Sequence, residues 1–311
     1  MIVLALVAAL FALAWLSAFV VPALVAPRLE AATVALHRQL DRGEGLFGRF
    51  LPKSWAAHAG EIPLIAALAF ALIAGTWAFV ALLEDVVMGD PIVGLDKAVY
   101  AALQRLREPA FDTVLVAITE LGDSKVVMPV AAAGLAALLL MRRWRAALFL
   151  LIATAGAAVF VGGVKGVIHR PRPVQIYDGL VQYSFPSGHA SMSIVLYGTL
   201  AFLLAYGAPA RWRRRVAFLA LALVALIAFS RVYLGAHWLS DVLAGLAFGM
   251  AWVALLAMIY VRGEPAPVPA KAFAGLLLVA IVAAGAFHMF NDLAKETGRY
   301  AIPADLRPKA P

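Results

Sequence analysis

Three short strings hold most of the side chains in this sequence that could carry out a reaction. KGVIHRPRP supplies Lys165 and Arg172, FPSGH supplies Ser187, Gly188 and His189, and SRVYLGAHWLSD supplies Arg231, His237 and Asp241. Pooled, they give three cations, two imidazoles, a hydroxyl and a carboxylate. Guanidinium forks match phosphate oxygens two at a time and a lysine adds a point charge, so this set can neutralise a phosphoryl group and stabilise its transfer. Ser187 and the amides around Gly188 add donors, and glycine there lets backbone approach an anion closely. The same string leads into the N-terminus of a helix, whose unpaired N–H groups face an anion. His237 and Asp241 are spaced i, i+4, which on a helix places them on one face roughly 6 Å apart. The carboxylate can then hold one ring nitrogen while the other keeps its lone pair for phosphorus. His189 is left to protonate the leaving oxygen and afterwards to activate the water that cleaves a phosphohistidine. The chain has no cysteine, which removes thiolate nucleophiles, disulfides and cysteine-ligated metals. Taken singly, an Arg-Pro at a helix end reads as a snorkelling anchor, a Ser-Gly-His as a turn and an HxxxD as a surface pair; their conjunction argues for a site.

Helices in a bilayer must position these groups. Of the 311 residues 64% are hydrophobic and only 14% charged, with a mean hydropathy of +0.91, more apolar than the surface of a water-soluble domain tolerates. A membrane core takes about 20 apolar residues per helix. Runs of that order occur at Met1 to Ala26, Ile62 to Leu83, Val126 to Met141, Ala146 to Val164, Ala190 to Tyr206, Val216 to Leu234, Val242 to Val261 and Ala272 to Phe290. The expected fold class is therefore all-α, a polytopic membrane helix bundle of about eight transmembrane helices. The first run is expected to be a retained span, being longer than a signal-peptide core.

Two short loops set the orientation. Arg142, Arg143 and Arg145 fill one, and Arg211, Arg213, Arg214 and Arg215 the other; basic loops stay cytoplasmic. By alternation the basic segment from Pro27 to Glu61 is also inside, and the three reactive strings share the outer face of a cytoplasmic membrane. The formal net charge of +8 then serves topology, and no nucleic acid partner is expected. Between Glu84 and Lys125, Leu95, Val99, Leu103 and Leu106 recur at helical spacing with Asp96, Lys97, Arg105 and Arg107 between them. That pattern predicts an amphipathic helix in the interface plane with a structural role. The polar tail from Asn291 to Pro311 is expected to be loosely ordered.

The strings resemble the three signature motifs of the type 2 phosphatidic acid phosphatases, the integral membrane lipid phosphate phosphatases. KxxxxxxRP, PSGH and SRxxxxxHxxxD are complete here as Lys165 with Arg172-Pro173, Pro186 to His189, and Ser230-Arg231 with His237 and Asp241. The resemblance implies a six-helix core over about residues 62–261, flanked by an N-terminal helix with a basic segment (1–61) and a C-terminal helix with a polar tail (262–311). It implies hydrolysis of a lipid mono- or diphosphate, of the undecaprenyl, phosphatidylglycerol phosphate or phosphatidate type, with no metal and no cofactor. The partners it implies are that lipid substrate and the surrounding membrane lipids. In the same way it makes His237 the nucleophile, Asp241 its partner, His189 the general acid, and Lys165, Arg172, Ser187, Gly188 and Arg231 the phosphate cradle. A phosphotransferase using the same phosphohistidine is the alternative; a non-catalytic lipid transporter or binder is a further one. Arg170, at a variable position of the first motif, reads as a solvated loop residue. His37, His58 and His288 fall outside the strings and read as non-catalytic, and no cluster in the sequence suggests a set of carboxylate or imidazole metal ligands.

Overall fold

The computed structural model describes residues 2–20, 31, 62–89, 91–174, 176 and 182–301. Apart from residue 31, the basic segment 27–61, with His37 and His58, lies outside the described residues, as do the end of the first predicted span and residues 302–311. Helix α1, Ile2–Trp15, ends in a π turn at Leu16–Val20. It is followed by α2 (Ile62–Met88), α3 (Pro91–Gln104), α4 (Pro109–Glu120), α5 (Ser124–Leu140), α6 (Trp144–Ile168), α7 (Gly188–Ala205), α8 (Ala210–Tyr233), α9 (Leu239–Arg262) and α10 (Ala270–Arg299). No strand occurs among the described residues.

Among the described residues eight candidate spans are long and apolar enough to cross a membrane, and their outer faces carry large exposed side chains such as Phe70, Trp77, Val159, Val167 and Phe290. In water that surface would be costly; in lipid it is solvated, while every backbone group stays paired within its helix. The chain forms a multi-pass membrane bundle. Its helices meet at α9 through small residues: a Cβ on Gly245 of α9 would lie 2.8 Å from the Ser187 carbonyl oxygen, and one on Gly75 of α2 2.7 Å from that of Ala247. Glycine at both crossings brings backbones together as membrane helix contacts require, and the first of them holds the start of α7 against α9.

Two expectations need correction. The span predicted from Val126 to Met141 begins earlier: α2 runs on to Met88, α3 covers most of the amphipathic stretch, and α4 joins α5 as one candidate span over Pro109–Leu140. The apolar VLVAI run of α4 buries Leu115 and Val116, and Asp123 caps α5 by accepting the Lys125 N–H at 2.8 Å. The tail, likewise, is not loose from Asn291 onward. Helix α10 continues to Arg299, and Glu296 and Tyr300 are buried, because polar residues past the apolar run find charged partners in Lys125 of α5 and Arg231 of α8 instead of water.

Candidate active site

The three strings converge at one end of the bundle: Lys165 in the last turn of α6, Ser187 and Gly188 opening α7, Arg231 in the last turn of α8, and Asp241 in the first turn of α9. His237 sits in the tight connection between α8 and α9, which turns at Gly235 with φ +73°. A Cβ there would meet Tyr100 at 3.1 Å, so both conformation and space call for glycine. The loop is tied back by its own amides, with the His237 N–H donating to the Arg231 carbonyl at 3.2 Å.

The His237 ring is 1% exposed. Its Nδ1 lies 3.4 Å from Asp241 Oδ2, and its Nε2 lies 2.9 Å from an Arg172 guanidinium nitrogen. Asp241 Oδ2 also accepts the Trp238 N–H at 3.0 Å, tying the carboxylate to the start of α9. Burial, and then the charges of Arg172, Arg231 and Lys165, hold the His237 pKa well below the ordinary imidazole range. The direction matters for chemistry: it favours the unprotonated ring, whose lone pair a nucleophile requires.

Around it, Arg172 donates to the Ala236 carbonyl at 2.6 Å, and both Arg172 and Lys165 donate to the Tyr183 carbonyl. The Ser187 N–H donates to the Asp241 backbone carbonyl at 2.9 Å, and the Ser187 hydroxyl accepts the Ala190 N–H, capping α7. At Gly188 a Cβ would have only Val161 within reach, at 3.9 Å, so this helix start is open to an approaching anion. Arg231 is fully buried and donates to the Thr119 hydroxyl at 3.0 Å and the Tyr300 hydroxyl at 2.7 Å. His189 Nε2 lies 3.6 Å from Asp123 Oδ2. All the sequence-predicted site residues are thus gathered at one place.

The sequence model of the PAP2 superfamily matches residues 146–264, which include all three strings. Residues 146–264 are PAP2-like in sequence. It is 28% identical over 177 residues to phosphatidylglycerophosphatase B of Bacillus subtilis, covering 55% of this chain and 86% of that protein. It is 38% identical over 111 residues to lipid A 1-phosphatase of Rhizobium etli (32% and 44%), and 28% identical over 178 residues to undecaprenyl-diphosphatase of Sulfolobus acidocaldarius (55% and 80%). A crystal structure of a transmembrane PAP2 type phosphatidylglycerolphosphate phosphatase from Bacillus subtilis superposes with a TM-score of 0.54 at 25% identity, covering 61% of this chain and 96% of that one. These relatives are all named as lipid phosphatases, which is consistent with a lipid phosphate hydrolase.

Several groups beside the PAP2 strings were not singled out by their pattern. Arg170 is the clearest correction: rather than a solvated loop residue it is 9% exposed and paired with both Asp96 and Asp241. Asp96 is 1% exposed; its signal was a carboxylate in line with Val99, Tyr100 and Leu103 on the apolar face of α3. Tyr300, just past the end of α10, reaches Arg231 from outside the matched segment. Outside the strings, Glu120, Asp123 and His288, which no cluster in the sequence joins, bring ligand atoms within 4.8 Å of one another. The chain's own groups already face these atoms: His288 Nε2 lies 2.6 Å from Glu120, its Nδ1 3.0 Å from Asp292, and Lys125 Nζ 3.0 Å from Asp292.

Proposed function

We propose that this protein dephosphorylates a membrane lipid phosphate or diphosphate through a phosphohistidine on His237, without a metal. The observation that carries the reading is the buried His237 ring with Asp241 behind one nitrogen and Arg172 beside the other. In the first step Nε2 forms a bond to phosphorus as the bond from phosphorus to the lipid oxygen breaks, and His189 delivers a proton to that oxygen. In the second, His189 removes a proton from water, whose oxygen bonds to phosphorus as the N–P bond breaks and inorganic phosphate leaves. Lys165, Arg172, Arg231, Ser187 and the amide of Gly188 hold the phosphoryl oxygens as charge builds on them. The relatives are named for phosphatidylglycerophosphate, lipid A and undecaprenyl diphosphate; what these share is a phosphate on a lipid, and the wall of the site chooses among them.

Purified protein given a panel of lipid phosphates in EDTA should release inorganic phosphate from at least one. Loss of turnover on chelation would overturn the metal-free step, and transfer of label to a lipid acceptor with no phosphate release would replace hydrolysis by phosphotransfer.

The site is proposed to face the exterior or periplasm from the cytoplasmic membrane. Support comes from the basic loops at the opposite ends of α5, α6, α7 and α8, which the positive-inside bias keeps in the cytoplasm. As the chain lacks cysteine, a single introduced thiol reports cleanly. Gln182→Cys should react with an impermeant reagent in intact cells and Trp144→Cys should not; the reverse pattern would invert the topology.

A further inference from the structure

We propose that Asp96 and Arg170 are positioning residues, forming a chain that fixes Asp241 and, through it, the ring of His237; the inference rests on the phosphohistidine reading above. Arg170 spends its fork away from any phosphate. One terminal nitrogen donates to Asp241 Oδ1 at 2.6 Å and to the Ser240 hydroxyl at 2.7 Å, and the other to Asp96 Oδ2 at 2.7 Å. Asp96 in turn accepts the Ser240 N–H at 2.9 Å and the Ser240 hydroxyl at 2.6 Å. Its carboxylate therefore holds a backbone amide in the first turn of α9, the turn from which Asp241 projects.

The oxygens of Asp241 are divided as a result. Oδ1 belongs to Arg170, which leaves Oδ2 for the Trp238 amide and the His237 ring. A carboxylate pinned at one oxygen cannot rotate the other away from the imidazole. Arg170 is itself held over the Trp238 ring at 5.8 Å, while the Trp238 indole N–H donates to the Pro171 carbonyl at 2.9 Å.

Charge gives the same division of labour. Lys165, Arg172 and Arg231, with the His189 ring, act on His237 from the phosphate side; Asp96, Arg170 and Asp241 form an alternating minus, plus, minus row behind it. Two buried carboxylates this close repel unless a cation sits between them, and a guanidinium is the side chain whose planar fork can serve both. Asp96 lies on α3, outside residues 146–264 matched by the superfamily, so the chain ties the amphipathic helix to the reacting end of the core.

The test compares Asp96→Asn, Arg170→Gln, Arg170→Lys and the double Asp96→Asn/Arg170→Gln in purified full-length protein. The readouts are kcat, KM, inhibition by inorganic phosphate and unfolding temperature. Groups that orient a reacting side chain from behind contribute about 10- to 100-fold, so Asp96→Asn and Arg170→Gln should each lose that much kcat. KM and the phosphate inhibition constant should stay within about twofold, because the cradle is untouched. Residues acting as one unit are not additive, so the double variant should be no slower than the worse single one. Arg170→Lys, which keeps the charge but loses the fork, should not restore the wild-type rate.

Wild-type kcat in folded Asp96→Asn, a loss confined to unfolding temperature, or losses that multiply in the double variant would overturn the proposal. So would Arg170→Gln weakening phosphate inhibition by about tenfold or more, since Arg170 would then belong to the cradle. If Asp96→Asn does not fold, Ser240→Ala cuts the same link: a severalfold fall in kcat at constant KM supports it and an unchanged kcat overturns it. Wild-type phosphate release tests the underlying reaction separately; the ratios of variant to wild type test the chain alone.

Discussion

His237→Ala should release phosphate from a lipid substrate about 10⁴- to 10⁶-fold more slowly than the wild type, the range seen when a covalent nucleophile is removed and only binding effects remain. KM should change far less, because in the proposed site Lys165, Arg172 and Arg231 remain to bind phosphate. The ring is 1% exposed, so its truncation leaves a small cavity, and unfolding temperature in detergent separates that packing loss from the chemical one. A folded His237→Ala protein that turns over within tenfold of wild type would end the covalent reading and leave the site as a binder of lipid head groups.

His189→Asn should cost about 10²- to 10⁴-fold on a lipid phosphate, the range of a positioned general acid, and the loss should depend on the leaving group. A lipid alkoxide needs a proton to leave, whereas an aryl oxide with an acidic parent phenol does not. The variant should therefore form the phosphohistidine from an aryl phosphate nearly as fast as the wild type. Its position fits this role: His189 lies in the first turn of α7, beside the open Gly188, with Asp123 3.6 Å from Nε2. Equal losses in the first step on both substrates would reduce His189 to a positioning or cradle group.

What was readable in the sequence, and what was not, follows from the range of the interactions. The α6 to α9 core showed itself through uncharged runs, because in lipid each helix must satisfy its own backbone and be apolar on its own account. The His237–Asp241 pair showed itself because i, i+4 is a local relation. By contrast, Asp96 meets Ser240 across 144 residues and Arg231 meets Tyr300 across 69; no periodicity encodes such contacts. Arg170 looked like one more loop cation because its two carboxylates are distant in sequence. The continuation of α10 was hidden for a related reason. Its last turns carry Asp292, Glu296 and Arg299, which read as a solvated tail, yet Glu296 is 1% exposed and Lys125 lies 3.0 Å from Asp292. Polar residues at a membrane helix end can be buried by one another, and only the packing of α10 on α4 and α5 shows it.

Trapping the intermediate on His237 tests the mechanism most directly. His189→Asn given an aryl phosphate carrying labelled phosphate should accumulate it, since formation needs no acid there while hydrolysis lacks its base. After a denaturing quench, label that is stable in alkali and lost in acid should sit on the peptide bearing His237, and none should appear there when His237 is also replaced by Ala. Continued turnover with no label on His237, or label on another residue, would contradict the phosphohistidine.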